Sequence, residues 1–281
     1  MASIITLTTD FGLSDVYVGV IKGAILSVSP DATIVDITHS IEPQNIVQGA
    51  FILNNAYRYF PKQSVHMAIV DPGVGSRRRG VILKTPDAFF VAPDNGILSH
   101  VINELSMNEN TSSQYSQPYS ELLLGEGLEA VIITDPRFWR QPVSSTFHAR
   151  DIFAPVAAGL SLGISPYEFG EKLDSLHVFS TQRPLIDEEG NITGHIVWID
   201  RYGNLITNIR GTDLVKRDVD IEIAGHHLNG ITNYYTEVHG LMAIIGSNGY
   251  LEISLAEGNA CEYLHTEVAD EVRVMSSSYS S

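Results

Sequence analysis

The chain has 281 residues, of which 44% are hydrophobic and 18% charged, so it is long enough for a sizeable core and for two domains. Its formal net charge of −16, from 33 acidic and 17 basic residues, argues against a nucleic-acid or anionic membrane partner and suits a small neutral or cationic substrate. Cys261 is the only cysteine, which excludes an internal disulfide and a cysteine-built zinc site and fits a reducing cytoplasm.

The amino-terminal segment predicts the first strand of a sheet, because it has neither the basic segment nor the long apolar stretch of a targeting signal. No apolar run is long enough to cross a bilayer, so we expect a cytoplasmic protein. Short apolar runs then alternate with segments of helical period, which is typical of a parallel sheet covered by helices. The predicted strands are residues 4–7, 34–37, 64–70, 81–84, 89–91 and 130–133, and the predicted helices are residues 16–26, 46–59 and 151–162.

The character of the sequence changes along the chain. Residues 103–126 are rich in Ser, Asn and Gln and have no period, which predicts a surface loop. Beyond residue 180 the apolar residues recur with period two, which predicts antiparallel strands. We therefore expect an α/β domain with a mostly parallel central sheet over residues 1–182 and a smaller antiparallel, β-barrel-like domain over residues 183–281. The strands predicted in the second domain are residues 195–199, 219–223, 242–245, 250–255 and 272–275.

Two acidic residues follow predicted strands of the first domain. Asp10 lies in the run TTDFG after the first strand, and Asp71 lies in VDPGVGS after the third. Ligands of parallel sheets collect at the carboxyl ends of the strands, so both carboxylates are candidate site residues. The alternative is that Asp10 caps a turn or helix and that Asp71 belongs to an ordinary Asp-Pro turn. The occurrence of both in one sheet favours a shared site.

A basic run and a lone histidine add to these candidates. Residues 77–79 are three consecutive arginines, which usually form a solvated loop, but one of them could return to Asp71 and stabilise an anionic nucleophile. His148 precedes a predicted helix, where most histidines are solvated or bonded to the backbone. Asp200 and Asn204 flank a glycine-containing bend, which is ordinary turn chemistry. The residues thus predict an Asp, Arg and His site without identifying its ligand.

Taken in order, the motifs resemble those of the S-adenosyl-L-methionine hydroxide adenosyltransferase family, whose relatives include fluorinating and chlorinating enzymes that attack the same substrate with halide. The resemblance covers nearly the whole chain. Its motifs are TTDFG at Thr8, DITHSI at Asp36, VDPGVGS at Val70, APDNG at Ala92, FHARDIFAP at Phe147, DRYGN at Asp200 and GSNGYLEI at Gly246.

The resemblance implies hydrolysis of S-adenosyl-L-methionine to adenosine and L-methionine, by attack of water or hydroxide at the ribose C5′, with no metal and no other cofactor. It implies that Asp71, Arg78 and His148 surround the attacking water and that Asp10 accepts hydrogen bonds from the ribose hydroxyls. The other implied substrate contacts are Asp200 and Ser247 to the methionine ammonium and carboxylate, Asn204 and the backbone near Asn259 and Ala260 to adenine, and Phe147 and Tyr202 as aromatic walls.

The resemblance also implies a homotrimer, a head-to-tail ring in which the α/β domain of one subunit faces the β domain of its neighbour across each active site. Three other functions remain open. One is halide-dependent synthesis of 5′-halo-adenosine, although the halogenating relatives have tyrosines at the positions of Asp71 and His148, and a carboxylate repels halide. The others are a metal-dependent hydrolase and a non-catalytic adenosyl-binding protein.

Overall fold

The computed structural model describes residues 4–106, 119–180, 183–214, 218–237 and 239–276. The chain divides into two compact units, Met1–Thr181 and Gln182–Ser281, which are described separately below. Across the described residues, the helices are too short or too polar to span a bilayer.

The first unit is built around a seven-stranded mixed sheet. The strands of this unit are β1 (Ile4–Thr9), β2 (Thr33–Thr38), β3 (Ser64–Ile69), β4 (Gly80–Lys84), β5 (Ala88–Pro93), β6 (Tyr119–Leu123), β7 (Glu129–Ile132), β8 (Lys172–Leu173) and β9 (Ser175–Phe179). The sheet order is β2, β1, β3, β5, β4, β7, β8, and only β4 and β8 run against the other strands. Strands β6 and β9 form a separate antiparallel pair.

Helices cover both faces of this sheet because its strands bury side chains on both sides. They are α1 (Tyr17–Val28), α2 (Ile46–Ala56), α3 (Ser99–Leu105) and α4 (Ala154–Ser161), the last continuing a π-helical turn (Ala149–Phe153). Helices α1 and α4 supply apolar side chains to one core and α2 and α3 to the other. Alternate residues of β3 divide between the two cores, with Met67 in the first and Ala68 in the second, as the strand period of two requires.

The second unit is an antiparallel, nearly closed barrel-like sheet. Its elements are β10 (Leu185–Ile186), β11 (Ile192–Ile199), β12 (Leu205–Arg210), β13 (Val219–Ile223), β14 (His226–Asn229), β15 (Leu241–Ile245), β16 (Tyr250–Leu255), α5 (Ala260–Leu264) and β17 (Glu271–Ser276). The order is β14, β13, β17, β11, β12, β16, β15, with β10 on β11. The first half of β11 pairs with β17 and the second half with β12, across an irregularity between Ile196 and Trp198 that lets the strand bend.

The predicted fold class, a mostly parallel α/β domain followed by an antiparallel β domain, is confirmed. The prediction of one loop over residues 103–126 is wrong at both ends, because α3 continues to Leu105 and β6 occupies Tyr119–Leu123. Strand β6 has the polar sequence YSELL and alternates exposed with half-buried residues, so it lacks the apolar pattern of a core strand. Residues 107–118 of the predicted loop lie outside the described part of the chain.

Candidate active site

Asp71, Arg78 and His148 form one hydrogen-bonded group in the first unit. Arg78 Nε lies 3.0 Å from each carboxylate oxygen of Asp71, and Arg78 Nη2 lies 2.5 Å from Oδ2. The same Nη2 is 3.0 Å from Nδ1 of His148. The side chains of Asp71 and Arg78 are only 6% and 13% exposed, so the ion pair is largely withdrawn from solvent. The structure therefore brings together the three residues that, by the family resemblance, surround the attacking water.

The sheet topology explains why residues so far apart in sequence meet. Asp71 leaves the carboxyl end of β3, and Arg78 shortly precedes β4, which runs in the opposite direction and therefore starts at the same edge. His148 immediately precedes the π-helical turn that leads into α4, a helix packed on β3. The ring of Phe153, in that turn, lies 5.2 Å from the Arg78 guanidinium and supports it by a cation–π contact.

Two glycines shape the loop that carries Asp71. Gly75 has φ +78, a conformation that residues with a Cβ rarely adopt, and a Cβ built there would lie 2.5 Å from the backbone oxygen of Ser145. Gly73 lies beside the Arg78 side chain, with a built Cβ at 3.5 Å from Arg78 Cγ. The Asp71 loop and the loop that leads to His148 thus touch through backbone atoms, which fixes the separation of their functional side chains.

The hydrogen bond between Arg78 and His148 determines the state of the imidazole. A guanidinium has only donors, so His148 Nδ1 accepts, and the proton of the neutral ring is on Nε2. Burial and the positive charge of Arg78 both lower the pKa of His148 from its ordinary value of 6.5, against smaller opposing effects of Asp71 and Asp151. At neutral pH the site therefore contains a carboxylate acceptor and a neutral imidazole Nε2–H donor, which together can orient a water molecule.

Asp10 lies after β1, the sheet neighbour of β3, on a loop fixed from both sides by His39. Thr9 Oγ1 is 2.8 Å from His39 Nδ1, and the N–H of Gly12 donates to the His39 carbonyl at 2.7 Å. Asp10 Oδ2 accepts from the backbone N–H of Gln44 at 2.8 Å. The half-buried carboxylate keeps its other oxygen for a further donor, which is the requirement for a contact to a sugar hydroxyl.

Phe147 links the loop after β1 to the loop that carries the histidine. Its ring centroid lies 6.0 Å from that of Phe11 and 5.2 Å from that of Tyr17, both in edge-to-face arrangements. In the segment between Phe11 and Tyr17, Leu13 and Val16 are each 73% exposed. The first unit therefore holds five of the predicted site residues within one set of neighbouring loops, next to an exposed apolar surface.

In the second unit, Asp200 organises a tight turn between β11 and β12. Asp200 Oδ1 accepts from the backbone N–H of Tyr202 at 2.8 Å and of Asn204 at 2.9 Å, and Oδ2 accepts from Asn204 Nδ2 at 2.9 Å. This is an Asx-type turn, so the carboxylate has a structural role whatever else it contacts. Tyr202 is 76% exposed, with its ring on the surface of this unit.

The amino terminus of α5 packs on the same turn. Asn259 caps the helix by accepting from the N–H of Glu262 at 3.0 Å, and the N–H of Cys261 donates to the Gly203 carbonyl at 3.0 Å. A Cβ at Gly203 would lie 1.9 Å from Asn259 Oδ1, so only glycine permits this approach. Asn204, Asn259 and the buried Ala260 are thereby collected in one place.

Ser247 is exposed in the turn between β15 and β16, next to a carboxylate that the sequence analysis missed. Glu252 is 6% exposed, and its Oε1 accepts from Tyr235 Oη at 2.7 Å and Ser254 Oγ at 2.8 Å. Its Oε2 faces Gly246, where a built Cβ would lie 2.6 Å away. Burial, then the hydrogen bond to Glu252, and finally the charges of Glu252 and Asp200 raise the pKa of Tyr235 to about 12. The sequence signal for the buried Glu252 carboxylate was an acidic residue inside the apolar run YLEISL, because a buried charge is costly unless it has partners.

The predicted site residues thus form two groups, one in each unit. The first unit holds Asp10, Asp71, Arg78, Phe147 and His148, and the second holds Asp200, Tyr202, Asn204, Ser247, Asn259 and Ala260. Within the described residues, no three or more His, Cys, Asp and Glu side chains are grouped so as to hold a metal ion.

Comparison with known proteins gives a consistent result. An archaeal protein of Methanocaldococcus jannaschii named (R)-S-adenosyl-L-methionine hydrolase is 36% identical over 97% of this chain and 95% of its own length. A protein of Nocardia brasiliensis named fluorinase is 28% identical over 77% of this chain and 74% of its own. The crystal structure of an uncharacterised conserved protein from Thermotoga maritima superposes with a TM-score of 0.82 at 32% identity, covering 97% of this chain and 99% of that one.

The family models cover both units. The SAM hydroxide adenosyltransferase N-terminal domain matches residues 5–170, which include the Asp71, Arg78 and His148 group, and the C-terminal domain of the same family matches residues 194–273, which include the Asp200 turn and Ser247. The chain belongs to the SAM hydroxide adenosyltransferase family.

Proposed function

We propose that this protein hydrolyses S-adenosyl-L-methionine to adenosine and L-methionine. The observation that carries the proposal is the hydrogen-bonded group of Asp71, Arg78 and His148, which offers a carboxylate acceptor and a neutral imidazole donor but no metal-like arrangement of ligands. Relatives named as hydrolases of this substrate over nearly the full chain length support it. The names of these relatives specify the (R) form, and we propose the same epimer as the substrate here.

The chemistry needs little beyond a positioned water molecule. The sulfonium sulfur makes methionine a neutral leaving group, so the water oxygen attacks C5′ while the electron pair of the C5′–S bond passes to sulfur. The Asp71 carboxylate accepts the proton that the water loses, Arg78 stabilises the negative charge that develops on the oxygen, and the Nε2–H of His148 orients that oxygen. No metal or other cofactor takes part in this step.

The other residues are proposed to hold the substrate. Asp10 accepts from the ribose hydroxyls, since its Oδ2 is already bonded to Gln44 and Oδ1 remains for the sugar. Phe147 and Tyr202 provide aromatic walls, and Asn204 with the backbone near Asn259 and Ala260 contacts adenine.

The methionine end is assigned to the second unit. Asp200 and Ser247 contact its ammonium and carboxylate groups, and the buried Glu252 beside Gly246 supplies a further negative charge for the ammonium group. A buried carboxylate that receives hydrogen bonds from two hydroxyls is held rigidly, so its remaining oxygen is preorganised for a cation.

We further propose that the enzyme is a cytoplasmic homotrimer in which each site combines the first unit of one subunit with the second unit of its neighbour. The exposed Leu13 and Val16, which lie in the segment between the Phe147 neighbours Phe11 and Tyr17, support an interface at the site, because exposed apolar residues of this kind are usually covered by a partner. The single cysteine is consistent with a cytoplasmic location.

The reaction is tested by incubating the full-length protein with separated (R) and (S) epimers of S-adenosyl-L-methionine in EDTA-treated buffer and quantifying the products. We expect equimolar adenosine and methionine from the (R) epimer. In water enriched in heavy oxygen, the label should appear in the adenosine 5′ hydroxyl even with excess chloride or fluoride. Formation of 5′-halo-adenosine as the main product, or activity only after metal is restored, would overturn the proposal.

The roles of the ion pair are tested with matched arginine variants. Arg78→Ala should lower kcat by roughly a hundredfold, as loss of a group that assists proton transfer typically does. Arg77→Ala is the control, because Arg77 is the exposed neighbour in the same loop and should retain the wild-type kcat. Asp71→Asn and His148→Ala should resemble Arg78→Ala, whereas Asn204→Ala should chiefly raise KM. Wild-type kcat in Asp71→Asn would remove that carboxylate from the mechanism.

Sharing of sites between subunits is tested by complementation. Asp71→Ala removes the proton acceptor in the first unit, and Asn204→Ala weakens substrate binding in the second unit without disturbing the turn bonds of Asp200 to the backbone. At a substrate concentration far below the raised KM of Asn204→Ala, both variants should be nearly inactive, and the mixture is assayed at that concentration. Co-refolding the two in equal amounts should restore about a quarter of wild-type activity, because random assembly pairs two intact halves at one site in four. Mixtures that stay inactive would refute intersubunit sites and leave the reaction itself untouched.

A further inference from the structure

The APDNG motif at Ala92 supplies no group to the proposed reaction, yet it lies beside the ion pair that does. Its polar residues are Asp94 and Asn95, which directly follow the carboxyl end of β5. In the sheet, β5 lies between β3 and β4. The motif therefore stands between the strand that Asp71 leaves and the strand that Arg78 precedes.

Asn95 contacts the chain immediately before Asp71. Its Nδ2 donates to the carbonyl oxygen of Val70 at 2.8 Å, and its Oδ1 accepts from the N–H of Ile97 at 3.3 Å. Val70 is fully buried, so its carbonyl has little access to water and depends on this donor. The bond fixes the point at which the chain turns from β3 into the Asp71 loop.

Asp94 contacts the residue immediately after Arg78. Its Oδ2 accepts from Arg79 Nε at 2.7 Å and lies 2.5 Å from Arg79 Nη2, and its own N–H donates to the Arg79 carbonyl at 2.9 Å. The N–H of His177 donates to Asp94 Oδ1 at 2.8 Å. The Asp94 carboxylate is 2% exposed and holds both the backbone and the side chain of Arg79.

These contacts link two chain segments that the sheet keeps apart. Because β5 separates β3 from β4, the two ends that carry Asp71 and Arg78 are about two strand spacings apart, roughly 10 Å. The bidentate contact of Arg78 with Asp71 spans this gap and demands that both chain segments keep their places. From the end of the intervening strand, a single motif reaches both chain segments.

We infer that Asp94 and Asn95 are positioning residues that hold Asp71 and Arg78 in register for the reaction. The expected effect on the rate rests on the proposed function, whereas the geometry of the ion pair can be measured without assaying activity. Loss of the bond from Asn95 to Val70 should displace Asp71 by a fraction of an ångström. That displacement should lower kcat by about tenfold or more, because catalytic steps are sensitive to small misplacements.

The decisive variant is Asn95→Ala, with Asn54→Ala as its matched control. Asn54 is a buried asparagine of the same unit that donates through Nδ2 to Glu104 at 3.0 Å, away from the proposed site. Both variants lose one side-chain donor and should be destabilised similarly. Only Asn95→Ala should lower kcat, with KM for S-adenosyl-L-methionine nearly unchanged. Asp94→Asn is a second variant of the motif, and it should also lower the free energy of unfolding because it weakens the buried ion pair of Asp94 with Arg79.

A second readout does not depend on activity. In protein labelled with ¹⁵N at the arginine Nε, the Arg78 signal, assigned by its loss in Arg78→Lys, reports the bond to Asp71 through its shift and its exchange with solvent. We expect faster exchange in Asn95→Ala and no change in Asn54→Ala. If the two variants agree in both kcat and Arg78 exchange, the inference is wrong. If Arg78 responds as expected but wild-type protein makes no adenosine, the positioning role stands and the proposed function fails.

Discussion

Gly75 offers a direct test of whether the contact between two loops sets the catalytic geometry. This residue has φ +78 and faces the backbone oxygen of Ser145, in the loop that leads to His148. A Cβ in Gly75→Ala would lie 2.5 Å from that oxygen, whereas ordinary van der Waals contact begins at 3.4 Å. Because a backbone oxygen cannot rotate away as a side chain can, the loops must separate by about 0.9 Å.

Such a separation should affect catalysis more than stability. The left-handed conformation costs alanine roughly 1–2 kcal/mol relative to glycine. Moving His148 away from Arg78 by nearly 1 Å would break their 3.0 Å hydrogen bond, and a misplacement of this size lowers a rate by about a hundredfold. Gly163→Ala is the matched control, because Gly163 has φ +85 in the same unit but no atom within 4 Å of a built Cβ.

The assay measures kcat for adenosine formation and the free energy of unfolding for both variants. Gly75→Ala and Gly163→Ala should share the conformational destabilisation, and only Gly75→Ala should lose kcat. The KM of Gly75→Ala should rise as well, because Phe147 lies in the same loop as His148. Equal kcat in the two variants would refute the argument that backbone contact between these loops positions the imidazole.

Three further predictions concern the turn glycine, a buried histidine and the pH profile. Gly203→Ala should destabilise the protein by about 1 kcal/mol more than Gly190→Ala, which has the same φ of +83 but open space, because the Asn259 helix cap is displaced; equal unfolding midpoints would contradict this. Burial lowers the pKa of His66 to about 4, so only the unfolded chain gains its proton between pH 6.5 and 4, and stability falls as the pH is lowered. The advantage of wild type over His66→Leu in the free energy of unfolding should shrink by about 2 kcal/mol between pH 7 and 5, and a constant difference would disprove the shift. Because burial and a neighbouring guanidinium lower the pKa of His148, the acid limb of kcat should fall below pH 6.5, and a limb above that value would contradict a neutral ring.

The fold could be predicted from sequence wherever burial imposes a period. Strand β3 is fully buried on both faces and ends in the unbroken apolar run Met67, Ala68 and Ile69, and β11 alternates because one face of its sheet is covered. Strand β6 escaped prediction because its stability comes from pairing with β9, a partner more than fifty residues away, and not from its own polar pattern. Helix α5 was missed because it has only five residues, too few to display a helical period.

The site shows a similar limit. Asp10 and Asp71 could be nominated from their positions after parallel strands, but the choice of Arg78 among three consecutive arginines came from the family resemblance. The structure explains why Arg78 and not Arg79 pairs with Asp71, because the Arg79 side chain donates to Asp94 instead. The run YLEISL marks Glu252 as an acidic residue in a buried strand, but its neighbours in space, Tyr235 and Gly246, could not be predicted because they come from different turns.

In the proposed mechanism, the same ion pair should favour water over halide as the nucleophile. A halide ion must give up its hydration and gain a net positive environment, but the Arg78 guanidinium is already bonded to both oxygens of Asp71, so the pair as a whole offers little net charge. The repulsion of a halide at about 4 Å by the Asp71 carboxylate, about 4 kcal/mol at a dielectric constant near 20, offsets most of its attraction to the adjacent Arg78 guanidinium, so the halide gains little from the pair. Water does not need a positive environment but a lone pair that accepts its proton. The Asp71 carboxylate still has lone pairs available, although both of its oxygens are bonded to Arg78. The neutral His148 adds an N–H donor without adding a charge that would attract an anion. Converting this water site into a halide site therefore requires removal of the carboxylate. We predict that Asp71→Ala loses hydrolysis but does not repel chloride. Any 5′-chloro-adenosine formed in high chloride should then be more abundant with Asp71→Ala than with wild type.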